Sequence, residues 1–295
     1  METIPYDKRS GKLWFNGESV EWGDAKIHIL NHGLHYASCV FEGERVYNGE
    51  IFKLEEHTQR LFYSAKRMGI DVPFSEKQIN EACKKIVNIQ KVQEGYVRPV
   101  IWRGSEMMAI SAQKNKINVA IATWEWGSYF DPKLKIKGIK LNISSWRRPS
   151  PNSVPWDTKA AGLYMICTLS KHEAEKEGFT DSLMLDHQGN IAEATGANIF
   201  FKNKDGELHT PIPDSFLDGI TRREVIKIAK SKGIKVFERK ILPEEMENFV
   251  GCFLTGTAAE VTPVSKINKY EFKVCELIRS LNDSYQELVR KKTTV

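Results

Sequence analysis

The chain is poor in the features that mark secreted, metal-bound or membrane-spanning proteins. Its five cysteines, Cys39, Cys83, Cys167, Cys252 and Cys275, are odd in number and scattered, with no Cys-x-x-Cys spacing. That argues against a disulfide framework or a zinc site and suits a reducing compartment. The seven histidines show no ligand spacing; His32 and His35 are close, but nothing nearby completes a metal set. No run is long and apolar enough to span a bilayer, and residues 1–12 are polar, so no secretory leader is expected. There is no internal repeat, no low-complexity tract and no block of one charge sign. The 43 Lys+Arg and 38 Asp+Glu leave +5, but the two signs are interleaved, so nucleic acid is not an expected partner. The short basic run 133–140 reads as a solvated connector. A cytoplasmic protein that handles small molecules is the expectation.

What is present is ordinary globular composition, 41% hydrophobic and 27% charged over 295 residues, enough for one large domain or two moderate ones. Asn16-Gly17 and Asn48-Gly49 read as hairpin turns, the first between strands 12–15 and 19–22, the second between strands 39–47 and 51–53. A further strand is expected at 25–29. Helices are expected at 54–68, stopped by Gly69, and from Ser75, whose spacing to Gln78 makes a capping box, to about 90. Strands follow at 96–102 and 116–126; Pro99 marks the first as an edge or a bulge. The pattern lapses around 127–138, which sets a domain boundary: 1–128, a connecting loop 129–138, and 139–295. The second half reads as strands at 139–146, 181–186, 191–194, 198–202, 235–239 and 252–255. Its helices fall at 164–177, 220–232 and 272–292. Alternation in both halves gives an α/β or α+β class.

Four stretches can carry chemistry. In Pro155-Trp156-Asp157-Thr158-Lys159-Ala160-Ala161-Gly162-Leu163-Tyr164 a lysine sits among small and apolar neighbours. A desolvated lysine loses its charge first, and a neutral amine is what attack on a carbonyl needs. The same lysine also fits a helix-start side chain with its ammonium in water. Glu193, in Ile191-Ala192-Glu193-Ala194-Thr195-Gly196, is a carboxylate in an apolar strand. It needs a partner, either a protonated ring nitrogen or some arginine on the surface. Leu217-Asp218-Gly219-Ile220-Thr221 opens a helix, which is a seat for phosphate or a helix start capped by Asp218. Thr255-Gly256-Thr257-Ala258 is a fourth stretch, a small-residue turn that either offers amides and a hydroxyl to an anion or is only a tight turn.

Taken in order, these motifs resemble the branched-chain amino acid aminotransferases, pyridoxal-phosphate enzymes of fold type IV. The resemblance runs from about Leu13 to about Val264. It rests also on His32-Gly33-Leu34-His35-Tyr36, Val40-Phe41-Glu42-Gly43, Tyr96-Val97-Arg98-Pro99, Ser145-Trp146 with Pro151-Asn152, and Gly256–Val264. It implies a two-domain fold like that of D-amino acid aminotransferase, with a small N-terminal domain and a larger cofactor-binding one, and no metal. It implies pyridoxal 5'-phosphate held on Lys159, with Glu193 at the ring nitrogen and Tyr164 at the phenolic oxygen. Arg60, Ile220, Thr221 and Thr257 would contact the phosphate. Thr257 and Ala258, with Tyr96, would receive the substrate α-carboxylate. Tyr36, Phe41, Trp126, Tyr129 and Tyr164 would line the pocket for Leu, Ile or Val, and Arg98 would meet the second carboxylate of glutamate. The expected reaction is ping-pong transamination with 2-oxoglutarate, in a homodimer with shared sites. Rivals are a D-amino acid transaminase, an aminodeoxychorismate lyase and a catalytically silent cofactor-binding protein. Two stretches depart from the family. Glu44 stands where many bacterial members have an aliphatic residue, and Arg103–Ile110 replaces a more glycine-rich loop that reaches the neighbouring subunit's site. Both are placed to alter side-chain preference.

Overall fold

The computed structural model describes residues 4–291. The chain forms two compact units, Met1–Gly127 with Thr158–Gly162, and Ser128–Asp157 with Leu163–Val295. The five-residue segment carrying Lys159 thus packs with the first unit, although the chain on either side of it belongs to the second.

The first unit begins with the hairpin of β1 (Lys12–Phe15) and β2 (Glu18–Glu21). Asn16 and Gly17 both take positive φ, 49° and 104°, the backbone that a two-residue turn between twisted strands requires. After α1 (His32–Tyr36) come β3 (Cys39–Phe41), β4 (Glu44–Tyr47) and β5 (Glu50–Ile51), the last two joined through Asn48-Gly49. α2 (Leu54–Arg67) carries acids in its first turn and bases in its last, matching the helix dipole. α3 (Glu76–Gln90) starts from Ser75, whose hydroxyl accepts the Gln78 N–H at 3.2 Å while the Gln78 side chain accepts the Ser75 N–H at 2.8 Å. β6 (Gly95–Arg103) and β7 (Ile117–Glu125) complete an antiparallel seven-stranded sheet, ordered β2-β1-β7-β6-β4-β5 with β3 also on β6.

Strand alternation gives this sheet two different faces. Val40, Val97, Ile101, Val119 and Ile121 share one face and have no exposed surface. They pack with Leu61 of α2 and Ile79 and Ile86 of α3, also fully buried. Burying each such side chain contributes about 1.5–3 kcal/mol. The opposite face carries Phe41, Tyr96, Arg98 and Trp124.

Three expectations need correction here. Residues 25–29 form no strand; Ile27 and Ile29 are 51% and 68% exposed, so their alternation buries nothing. The expected strand 39–47 is two strands, because at Glu42-Gly43 the backbone leaves the ladder and the Glu42 side chain turns to α2. Gly43 lies so close to Tyr96 that a Cβ there would fall 1.8 Å from its hydroxyl. Pro99 is on no edge: β6 is paired on both sides. Its missing N–H falls opposite the break between β3 and β4, and its carbonyl accepts the Glu42 N–H at 2.9 Å.

The second unit contains α4 (Pro132–Lys137), β8 (Ile139–Arg147), α5 (Met165–Lys176), β9 (Asp181–Leu185), β10 (Ile191–Ala194), β11 (Asn198–Asn203) and β12 (Leu208–Thr210). It continues with α6 (Ile220–Ser231), β13 (Val236–Glu238), β14 (Phe249–Gly256), β15 (Glu260–Ile267), β16 (Tyr270–Glu271) and α7 (Glu276–Arg290). The strand order is β10-β9-β8-β15-β14-β11-β12-β13, and a further pairing of Glu193 with Asn198 joins β10 to β11. Six strands therefore close into a barrel. Ile139, Leu141, Leu183, Ile199, Phe201, Leu254 and Val264 fill its core. The stretch expected as a loop at 129–138 contains α4, started by the Asp131 carboxylate, which accepts the Lys133 N–H at 2.8 Å. β15 escapes the sequence pattern, because Pro263 and the preceding small-residue turn hide it. The last helix begins at Glu276 rather than 272, because Tyr270–Glu271 pairs with β15; residue 292, expected to end it, lies outside the described residues.

Candidate active site

Lys159 is held by backbone on both sides of its own residue. Its N–H donates to Ser64 Oγ of α2 at 3.0 Å, and its carbonyl accepts the Phe41 N–H at 3.2 Å. Ala160 bridges Val40 of β3. The amine lies 5.0 Å from the centre of the Phe41 ring, and the Arg98 guanidinium lies 4.7 Å from the same ring. Burial pushes the Lys159 ammonium below the ordinary lysine range; Arg60 and Arg98 push the same way, and Glu42 and Tyr96 resist. The Lys159 residue is half-buried, with its amine over the Phe41 ring.

Behind the amine lies a charge layer that pattern reading missed. Glu42, with no exposed surface, accepts Arg60 Nε at 2.6 Å and Nη2 at 2.9 Å, a two-pronged pair. It also accepts His57 Nδ1 at 2.7 Å. Burial alone raises a carboxyl, yet Arg60 and His57 hold Glu42 well below the usual carboxylate range. Burial pushes the His57 imidazolium down against the pull of Glu42, so the ring is a neutral donor. The signal in the sequence was slight: His57 and Arg60 are three apart on one helix, hence on one face. Tyr96 packs edge-on to Trp126 at 4.8 Å. Tyr36 stands apart from this cluster on α1, 44% exposed and stacked on His32 at 4.6 Å. Glu44 pairs with Val97 and so points to the helix-covered face, away from Tyr96 and Arg98.

In the second unit, Glu193 sits at the barrel's closing pair and is 9% exposed. Its Oε1 lies 3.5 Å from Arg148 Nε, and its Oε2 accepts Asn198 Nδ2 at 3.4 Å. An arginine partner is one of the two expectations for this acid; a solvent-facing position is not correct. Asn198 ties the acid to the start of α6: its Nδ2 donates to the Leu217 carbonyl at 2.9 Å, and its Oδ1 accepts the Gly219 N–H at 3.1 Å. A Cβ on Gly219 would meet that Oδ1 at 2.3 Å. Asn198 also pairs with Thr255 across β11 and β14. Register thus gathers Glu193, the mouth of α6 and the Thr255–Ala258 turn.

Asp218 does not cap α6. Gly219 holds the N-cap position, no side chain caps it, and the Asp218 carboxylate pairs instead with Arg222 Nη1 at 2.9 Å. Ile220 and Thr221 are buried at 3% exposure each, and Thr257 and Ala258 are half-buried. Tyr164 is half-buried at the end of a 3-10 turn, Ala161–Tyr164, and Tyr129 is 43% exposed with its ring 4.7 Å from Phe130. Burial pushes the Cys39 thiol up to about 11, which disfavours its thiolate.

The first unit thus carries a half-buried amine, and the second a buried acid and an uncapped helix mouth. The chain belongs to the class IV aminotransferases, whose family pattern matches residues 39–267, and it has their type IV fold. It is 42% identical over 295 residues to a probable branched-chain-amino-acid aminotransferase of Rickettsia felis, covering 99% of this chain and 100% of that one. Among solved structures, the branched-chain amino acid aminotransferase of Escherichia coli superposes with a TM-score of 0.91 at 34% identity, covering 97% of each chain. The branched-chain amino acid aminotransferase of Thermobaculum terrenum, solved in its PLP form, superposes with a TM-score of 0.87 at 28% identity, covering 96% of this chain and 95% of that one.

Class IV aminotransferases use pyridoxal 5'-phosphate. The residues present fit that group. Lys159 supplies an amine whose charge is disfavoured. The first N–H groups of a twelve-residue helix have no side-chain cap, and the buried Thr255 Oγ1 has no hydrogen-bond partner among the described residues. Such donors suit a phosphate.

Proposed function

We propose that this protein transfers amino groups between branched-chain L-amino acids (Leu, Ile and Val) and 2-oxoglutarate in two half-reactions. The half-buried amine of Lys159 over the Phe41 ring, which Arg98 also faces, is the observation that carries this reading. Pyridoxal 5'-phosphate, when bound, supplies an electron sink that makes the substrate's α-proton acidic. Lys159 Nζ is the atom that bonds the cofactor between turnovers, and once displaced it takes the α-proton and returns it. Burial disfavours its ammonium form, so the neutral amine that accepts a proton is easier to reach in that step.

Glu193 is the acid for the ring nitrogen, and Tyr164 the contact for the phenolic oxygen. Ile220 and Thr221 offer backbone and hydroxyl donors to the phosphate, with Thr257 and Arg60. Arg60 commits Nε and Nη2 to Glu42, which fixes its guanidinium plane and aims the rest of its fork. Thr257, Ala258 and Tyr96 receive the α-carboxylate. Phe41, Trp126, Tyr36, Tyr129 and Tyr164 supply apolar surface for the branched side chain. The Arg98 guanidinium carbon lies over the rings of Phe41 and Tyr96, 4.7 Å and 5.5 Å from their centres. A guanidinium stacked in this way presents its N–H edge to a carboxylate and an apolar face to an alkyl group, so one pocket serves both donors. In this reading the second unit is the larger, cofactor-binding domain.

The same reading includes a homodimer. Ile29 just before α1, Leu34 on α1 and Ile110 in the loop after β6 are 68%, 59% and 83% exposed; His32 ties α1 to that loop, its N–H donating to the Gly104 carbonyl at 2.9 Å and its Nε2 to the Ala109 carbonyl at 3.0 Å. An apolar patch of this kind suits a second copy of the chain. The five free cysteines suit a cytoplasmic location; among the described residues no helix is long and apolar enough to cross a membrane. The test is a substrate panel on the purified yellow protein: leucine, isoleucine and valine should bleach it and 2-oxoglutarate should restore the colour. Turnover of D-alanine or aminodeoxychorismate in their place would overturn the reading.

A further inference from the structure

Glu44 takes no part in the chemistry above, yet it is a carboxyl in the hydrocarbon layer between sheet and helices. It has no exposed surface, and neither carboxyl oxygen has a hydrogen-bond partner among the described residues. Opposite it on β6 is Val97, also fully buried. The charged and titratable groups around it are Glu42 just before its strand, Arg60 on α2, His57 bonded to Glu42, and Cys83 on α3. Arg60 is the cation of this layer, and both Nε and Nη2 are given to Glu42.

We propose that Glu44 is a positioning residue that works as an uncharged acid: lodged behind the Glu42–Arg60 pair, it leaves Glu42 as the single negative charge of the layer, and its ionisation disrupts that pair. Two carboxylates beside one guanidinium in an apolar layer cannot both ionise cheaply. The member with the hydrogen bonds keeps the charge and the member without them keeps the proton. Burial, reinforced by the neighbouring Glu42 charge, pushes the Glu44 carboxyl well above its ordinary value. The folded chain therefore binds one proton that the unfolded chain releases, and stability falls as pH rises from the ordinary carboxylate value towards the raised one.

The experiment is unfolding of the full-length holoenzyme between pH 5.5 and 9 for the wild type, Glu44→Gln and Glu44→Leu. The folding constant of Glu44→Gln should gain on the wild type by about tenfold per pH unit over the part of the range where Glu44 is protonated in the folded chain only. Glu44→Leu should show the same divergence. The infrared spectrum of the folded wild type should contain a neutral carboxylic acid band that Glu44→Gln lacks. Parallel stability profiles, or no such band, would overturn the proposal. A second readout is release of pyridoxal 5'-phosphate at alkaline pH, which should be faster in the wild type than in Glu44→Gln. This one rests on Arg60 as a phosphate contact. Diverging stability with equal release would support the Glu44 assignment and count against Arg60 at the phosphate.

Discussion

The two units hold their buried acids in different ways. In the first, Glu42 accepts two guanidinium nitrogens at 2.6 and 2.9 Å and an imidazole nitrogen at 2.7 Å. In the second, Glu193 meets Arg148 at 3.5 Å and Asn198 at 3.4 Å, both at the long end of polar contact. Glu42 is locked in place by its neighbours and serves to hold others. Glu193 is placed by the barrel's closing register, where it pairs with Asn198 of the neighbouring strand. Under the proposed function, the difference separates an acid that builds the site from one that meets the cofactor.

Substitutions test this contrast. Lys159→Ala should cost at least about 10⁴-fold in turnover while the protein still takes up cofactor, measured by the leucine-driven colour change; a fully active variant would remove the amine from the mechanism. Glu42→Ala should cost about 3–5 kcal/mol of stability, because it leaves Arg60 charged in a dry layer without its partner. Urea unfolding reads this. The pH dependence has a definite sign. Glu42 is held below its usual range, so its contribution is full above the ordinary carboxyl value of 4.5 and is lost only as pH falls through the much lower folded value. Wild type and variant should converge only in strong acid.

Glu193→Gln should behave otherwise, with turnover lower by about 10²-fold and stability changed by less than Glu42→Ala changes it. Equal stability losses in the two variants would erase the distinction drawn between the acids. Smallest of all, Thr221→Val should weaken cofactor binding by about 1 kcal/mol, the net worth of one hydroxyl hydrogen bond, read by equilibrium titration.

Local chemistry was legible wherever it decided the outcome. Asn16-Gly17 and Asn48-Gly49 turn as their φ preferences dictate, and Ser75 with Gln78 starts α3. Lys159 and Glu193 stood out because each is the wrong polarity for its neighbours. The rest depended on partners distant in sequence. Glu42 breaks a strand that its β-rich surroundings would continue, because Arg60 lies 18 residues away. The apolar alternation at 25–29 looks like a strand but faces outward. Asp218 is an excellent cap by composition, but Arg222, one helical turn on, takes its carboxylate. Arg148, the partner of Glu193, lies far before it in sequence, and no local pattern points to it.

The segment Thr158–Gly162 counts with a unit whose main body ends at Gly127, and this has a genetic consequence. No single cut divides the gene into one piece per unit. A hybrid of two relatives joined after residue 127 takes its Glu42–Arg60 layer from one parent and Lys159 from the other. Shuffling at that seam mixes two lineages at the Val40–Ala160 bridge, so crossovers after residue 162 should give more active progeny than crossovers at 127.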